Sequence, residues 1–282
     1  MRTFDAAPAG RRAFTLAEGP RYDAARDELL WVDIEAGRLL RADPARLDAA
    51  TETTLGEPLG AAAPTTDGGW VLAAGRGLSL LAPGGARTEL AELEPVGNRM
   101  NDAACDPQGR FWAGSMAFDD TPGAGSLYRL DPGGAVTVVL RDLTIANGLG
   151  WSPDGSTMYH ADSGPGTITA YDFDARAGEI ERPRVIVRPE HGVPDGLTVD
   201  DEGLLWVALF GGAAVVRYDV DGRAVARIPL PVSQPTSCAL VGTRLIITTA
   251  ARDVAAAEPD AGRLFAADVG VGGPPAVPYA NP

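Results

Sequence analysis

Six short segments recur along the chain, beginning at intervals of 41 to 48 residues: Glu18-Gly19-Pro20, Gly60-Ala61-Ala62-Ala63, Asn101-Asp102-Ala103-Ala104, Asn147-Gly148-Leu149-Gly150, Asp195-Gly196-Leu197-Thr198 and Thr236-Ser237-Cys238-Ala239. Four of the six open on an oxygen-rich side chain: Glu18, Asn101, Asn147 and Asp195. Taken singly, an Asn-Gly or Asp-Gly pair is ordinarily a turn, and a Glu before Gly-Pro is ordinarily solvated. Four polar residues in phase with one repeat are harder to assign to turns alone. Brought to one point, two carboxylates and two amides repel unless a hard divalent cation compensates them. Their oxygens suit calcium, magnesium or manganese. Zinc also accepts carboxylates, but no Cys/His set accompanies them, so a structural zinc site is not expected.

The elements that would bring these positions together are legible just downstream. Each segment is followed by an Asp/Pro/Gly turn and a short apolar strand, the aromatics falling at Trp31, Trp70, Trp112, Tyr159 and Trp206, with Ile246 in a degenerate sixth copy. Turn residues that accept left-handed or fixed-φ geometry between apolar runs read as hairpins. A repeat of about 40 to 50 residues with several strands per copy is the signature of a β-propeller. The expected fold is therefore all-β, a six-bladed β-propeller of four-stranded blades, with residues 1–282 as a single domain. The innermost strand of each blade lines the central channel, so the six equivalent positions converge on the axis. The best helical candidate is Arg41–Thr54, weakened by Pro44 and a Thr-rich end.

Composition narrows the function. The chain has 282 residues and a formal charge of -14. It holds 24 basic residues, all arginine. Without lysine there is no Schiff-base or P-loop chemistry. Without a clustered basic surface there is no nucleic-acid partner. Cys105 and Cys238 are expected as buried free thiols rather than a bridge. No apolar run reaches the length of a membrane span, and no secretory leader is visible, so a soluble cytoplasmic protein is expected.

Several stretches resemble the senescence marker protein / gluconolactonase / luciferin-regenerating (regucalcin-like) family. They are Ala17-Glu18-Gly19-Pro20, Arg99-Met100-Asn101-Asp102, the run Asp106 to Met116, Ile145-Ala146-Asn147-Gly148-Leu149, Pro194-Asp195-Gly196-Leu197, Leu205-Trp206-Val207-Ala208, Leu230-Pro231-Val232, Pro235-Thr236-Ser237-Cys238 and Thr249-Ala250-Ala251-Arg252. They occur in family order over nearly the whole chain. The resemblance implies one divalent metal on the propeller axis, held by Glu18, Asn147 and Asp195, with calcium expected first and zinc, manganese and magnesium as alternatives. It implies substrate contacts from Arg99 and Asn101. The family's acidic substrate contact is a Glu; Asp119 is its expected counterpart here, with the bulkier Phe118 beside it. The activity implied is hydrolysis of sugar lactones to aldonic acids.

In such a reaction the cation would polarise the lactone carbonyl, and Asp195 is the expected general base holding the attacking water. Arg99 would orient the ring through its planar donors. Two rivals stand beside this reading: a propeller esterase or phosphotriesterase, and a calcium-binding regulatory protein without turnover. His160 with Asp162 and Ser163 could be read as a triad, but no nucleophile elbow exists, and a structural histidine is expected. His191 reads as a loop residue.

Overall fold

The structure, a computed structural model, describes residues 1–254 and 256–281. Its regular structure is almost entirely β and forms six sheets, antiparallel except for one short parallel edge strand. Blade one comprises Ala17–Asp23, Glu28–Asp33, Arg38–Ala42 and Thr51–Thr54. Blades two to five follow in the same inner-to-outer order, their inner strands being Leu59–Pro64, Asn98–Cys105, Ala146–Trp151 and Val193–Val199. Blade six takes three strands from the C-terminal part of the chain, Pro235–Val241, Arg244–Thr249 and Phe265–Asp268. Its outermost strand is Ala7–Pro8, which pairs with Phe265 and Ala266. The ring is thus closed by joining the two ends of the chain in one sheet. The strand Arg2–Thr3 adds a parallel fifth member to blade five.

The repeat works because each hairpin turn carries its own fastening. Asp106 Oδ1 accepts the backbone N–H of Gln108 at 2.9 Å and of Arg110 at 3.0 Å. Asp200 does the same for Glu202 and Leu204, and Asp219 for Asp221 and Arg223. Asp106 Oδ2 additionally accepts the indole N–H of Trp112 at 2.9 Å. One carboxylate therefore shapes the turn and locates the large side chain after it. Trp31, Trp112 and Trp206 are fully buried between blades, the last among Val215, Cys238, Leu245 and Phe265. Burial of this kind drives the sheets together face to face.

The region 41–54 departs from the helical expectation. Strands end at Ala42 and resume at Thr51, and helical geometry is confined to one 3-10 turn, Leu47–Ala49. Thr51–Thr54 pairs with Arg38–Arg41 as the outer strand of blade one, and β-branched threonines favour that state. Cys105 and Cys238 are free, as expected; Cys238 is buried and Cys105 half-buried. No helix among the described residues is long and apolar enough to cross a membrane.

Candidate active site on the channel axis

All six inner strands break register at the same place. In four blades two residues stand against one on the neighbouring strand: Gly19 and Pro20, Asn101 and Asp102, Asn147 and Gly148, Asp195 and Gly196. In the other two blades a single residue, Gly60 or Thr236, is left without a partner. These are β-bulges, which bend a strand and re-aim its side chains. Here they release Asn101, Asn147 and Asp195 from the ladder, while Glu18 stays paired with Val32 immediately before its bulge.

The glycines explain how closely the strands then approach. A Cβ on Gly148 would stand 2.5 Å from the carbonyl oxygen of Asp195, and one on Gly196 would collide with the side chain of Ser237. Gly19 sits at φ 53, in the left-handed region where other residues are strained.

Glu18, Asn101, Asn147 and Asp195 come together as expected, all buried. Asn101 Nδ2 donates to Asn147 Oδ1 at 2.9 Å and to the carbonyl of Ala146 at 3.0 Å. Asn147 Nδ2 donates to Ser163 Oγ at 2.9 Å, and Ser163 Oγ donates to the carbonyl of Pro194 at 2.7 Å. That chain ties the inner strands of blades three, four and five. It also fixes the Asn147 amide, whose oxygen keeps a second lone pair. Burial holds the carboxyl of Glu18 well above the usual carboxylate range, and the charges of Asp195 and Asp102 push it the same way. Burial, then the charge of Asp102, does likewise for Asp195.

Arg99 lies one residue before this group and is buried. Its Nη1 donates to Asn101 Oδ1 at 2.6 Å and to the carbonyl of Met100 at 3.0 Å. Burial, assisted by the charge of Arg252, pushes its guanidinium down to about 10, still cationic near neutrality. Asp119 stands apart from these residues. It is exposed on the turn after Phe111–Ala117, and its Oδ1 accepts from both the N–H and the hydroxyl of Thr121. Of the two neighbouring acids, Asp120 is the one whose charge acts on Arg99.

His160, Asp162 and Ser163 form no relay. Ser163 is committed to Asn147 and Pro194, Asp162 accepts the N–H groups of Thr144 and Ile145, and His160 Nε2 is buried without a partner. His191 lies in an exposed loop. Sequence reasoning passed over Arg21, and it weighed Ser163 only as part of a triad, not as the link between Asn147 and Pro194. Arg21 Nη2 reaches Asp102 Oδ1 at 3.2 Å and the carbonyl of Ala103 at 2.8 Å. Asp102 Oδ2, in contrast, is a buried oxygen without a partner. The signal for Arg21 was its phase: it is the one long cation at its repeat position.

Among the described residues, no cluster of three or more His, Cys, Asp or Glu side chains is set out to hold a metal. The axial group instead offers two carboxylates and an amide oxygen. That all-oxygen set matches hard divalent ions. Two buried carboxylates beside an amide oxygen are a donor set that a hard divalent cation would neutralise, so the residues fit the group.

Fold and site together define a six-bladed propeller with an acidic, amide-rich centre and one arginine beside it. The chain belongs to the SMP-30/Gluconolactonase/LRE-like family, whose model matches residues 16–251. A pentonolactonase, XacC, from Haloferax volcanii is 37% identical over 92% of this chain and 93% of its own. A 6-deoxy-6-sulfogluconolactonase from Pseudomonas putida is 34% identical over 93% of this chain and 94% of its own. Among solved structures, a calcium-binding protein described as regucalcin, from Agrobacterium tumefaciens, superposes with a TM-score of 0.93 at 32% identity, covering 99% of both chains.

Proposed function

We propose that this protein is a metal-dependent sugar lactonase that opens aldonolactones to aldonic acids. The observation that carries the reading is the meeting of Glu18, Asn147 and Asp195 with the Arg99–Asn101 pair at one point on the channel axis. The lactonases among its relatives support the same substrate class. Glu18, Asn147 and Asp195 would hold the metal, calcium first among the divalent ions that suit oxygen donors. A divalent cation bound there supplies Lewis acidity toward the lactone carbonyl and keeps both carboxylates ionised.

The protein's own groups do the rest. Asp195, ionised, accepts a proton from the water that attacks the carbonyl carbon and returns it to the ring oxygen as the acyl C–O bond of the ring breaks. Arg99 has donors left over after its bonds to Met100 and Asn101, and these orient the ring or its carbonyl oxygen. Asn101 is itself fixed by Ala146 and Asn147, so it presents a preset contact for a ring hydroxyl. Asp119, exposed on the turn after Phe111–Ala117, remains a candidate substrate contact through Oδ2, since its Oδ1 is taken by Thr121. Two free thiols suit a reducing compartment, which supports a cytoplasmic enzyme of carbohydrate metabolism.

The test is a pH-indicator hydrolysis assay over a panel of pentono- and hexonolactones. The protein is stripped with chelator and reconstituted separately with calcium, zinc, manganese and magnesium. Metal-restored turnover is expected, with Asp195→Ala losing roughly a hundredfold to ten-thousandfold in kcat and binding metal more weakly. Wild-type rates in that variant would remove Asp195 from the mechanism. Tight metal binding with no hydrolysis of any lactone would leave a binding protein instead.

A further inference from the structure

Three residues on from the six repeat positions Glu18, Gly60, Asn101, Asn147, Asp195 and Thr236 lies a second set of residues. Its members are Arg21, Ala63, Ala104, Gly150, Thr198 and Ala239. All six line one cavity of about 350 Å3. Three residues of strand correspond to about 10 Å along the channel, so this cavity lies on the same axis as the candidate active site, below it. Five of the six positions carry small side chains, and that is why space remains. The sixth carries the longest cation available.

The walls beyond the ring are apolar and partly aromatic, including Tyr22, Leu149, Trp151 and Leu197. The C-terminal segment closes one side with Pro274, Pro275, Ala276 and Val277. That segment is tied down at Ala276, whose N–H donates to the carbonyl of Tyr22 at 2.8 Å, and at Tyr279, whose N–H donates to the carbonyl of Pro64 at 2.8 Å. Its polar side chains are Arg21, Ser152, Thr198, Asp200 and Asp201, and Arg21 is the one cation among them. Asp200 is consumed by Arg217 and by the N–H groups of Glu202 and Leu204. Arg21 uses Nη1 on the carbonyl of Pro20 and Nη2 on Asp102 and Ala103. Its Nε makes no hydrogen bond among the described residues, and Arg21 lines the cavity.

We propose that this lower part of the channel is a second ligand site, separate from the candidate active site, for a small aromatic molecule bearing one anionic acceptor such as a carboxylate or sulfonate. A pocket of this volume, mainly apolar with a few polar groups and a single cation, has the proportions of a small-molecule site. The ring system replaces water against Tyr22, Trp151 and the prolines. The acceptor takes the free N–H of Arg21, a charge-assisted bond in a partly desolvated setting. Small side chains at five of six symmetric positions give the flat space that a ring needs. The site does not depend on lactonase activity.

The probe is the anionic dye 1-anilinonaphthalene-8-sulfonate, titrated into the full-length protein and followed by its fluorescence. Neutral N-phenyl-1-naphthylamine serves as the comparison. The expected result is saturable one-to-one binding of the sulfonate, with the neutral dye at least threefold weaker. Ala276→Trp fills the cavity from the C-terminal segment while leaving the backbone bond to Tyr22 in place. It should weaken the dye at least tenfold with turnover and melting temperature unchanged; Val277→Trp is the second variant, should the first not fold. Absent or multi-site binding, equal affinity for both dyes, or affinity unchanged in the folded tryptophan variant overturns the proposal.

Discussion

His160 makes the protein's stability depend on pH in a way that can be worked out in advance. The imidazole is buried on the second strand of blade four, with Nε2 unpartnered. Burial pushes it down to about 4 despite the opposing charge of Asp162. An unfolded histidine titrates near 6.5. Between those two values the unfolded chain binds the extra proton and the folded chain does not, so stability falls as the pH falls from 6.5 toward 4. At about 1.4 kcal/mol per unit, the full loss is roughly 3 kcal/mol, of which about 2 kcal/mol has appeared by pH 5.0. His160→Leu removes the titration while keeping a similar volume. Urea denaturation of both proteins at pH 7.5 and 5.0 isolates the effect, because every other group is common to the two. The wild type should lose about 2 kcal/mol more than the variant over that interval. Equal losses would show that the imidazole is not held neutral by its surroundings, and the argument from burial would fail.

Gly196→Ala should destabilise the protein by about 1–3 kcal/mol, the usual cost of overpacking, because the added methyl meets Ser237. Adding Ser237→Gly should recover part of the loss in chemical denaturation, and additive effects would refute the contact. Trp112→Ala, which empties a fully buried site and takes one of two donors from Asp106 Oδ2, leaving Arg110 Nε, should cost about 3–5 kcal/mol. Removing residues 1–9 deletes the outer strand of blade six and should lower the melting temperature while leaving the midpoint dependent on the same metal. Glu18→Gln relieves the buried carboxyl repulsion, so the chelated protein should melt no lower than wild type, whereas added calcium should no longer raise its melting temperature.

Much of this architecture could be read from the residues because the propeller repeats its instructions. Every blade restates a turn, an apolar strand and an axial segment, so the phase of Glu18, Asn101, Asn147 and Asp195 survived variation in the spacing. The same phase located the cavity ring once the structure gave it depth. What the pattern did not carry was contact between blades. Ser163 sits outside the repeat's polar position, yet it joins Asn147 to Pro194. The outer strand Thr51–Thr54 was misread because a short polar edge strand shows little periodicity. Nor could the sequence indicate that Asp119 is spent on its own turn while its neighbour Asp120 acts on Arg99.

The bulges separate what the protein is made of from what it does. A residue excluded from the ladder contributes no cross-strand bond, so its identity can change without unzipping a blade. The axis then behaves as a set of interchangeable sockets around a fixed frame. The socket at Gly60 is blocked, since any side chain there would strike the backbone of Met100 and Asn101. The socket at Thr236 is occupied by a hydroxyl that instead fastens blade six to blade one through the carbonyl of Ala17, at 2.6 Å. Of the four that remain, Asn101, Asn147 and Asp195 stand in bulges and Glu18 stands opposite Val32 at the last ladder pair before one; all four hold oxygen donors. New chemistry in this scaffold would therefore come from rewriting Glu18, Asn101, Asn147 and Asp195, with the sheets that carry them left as they are.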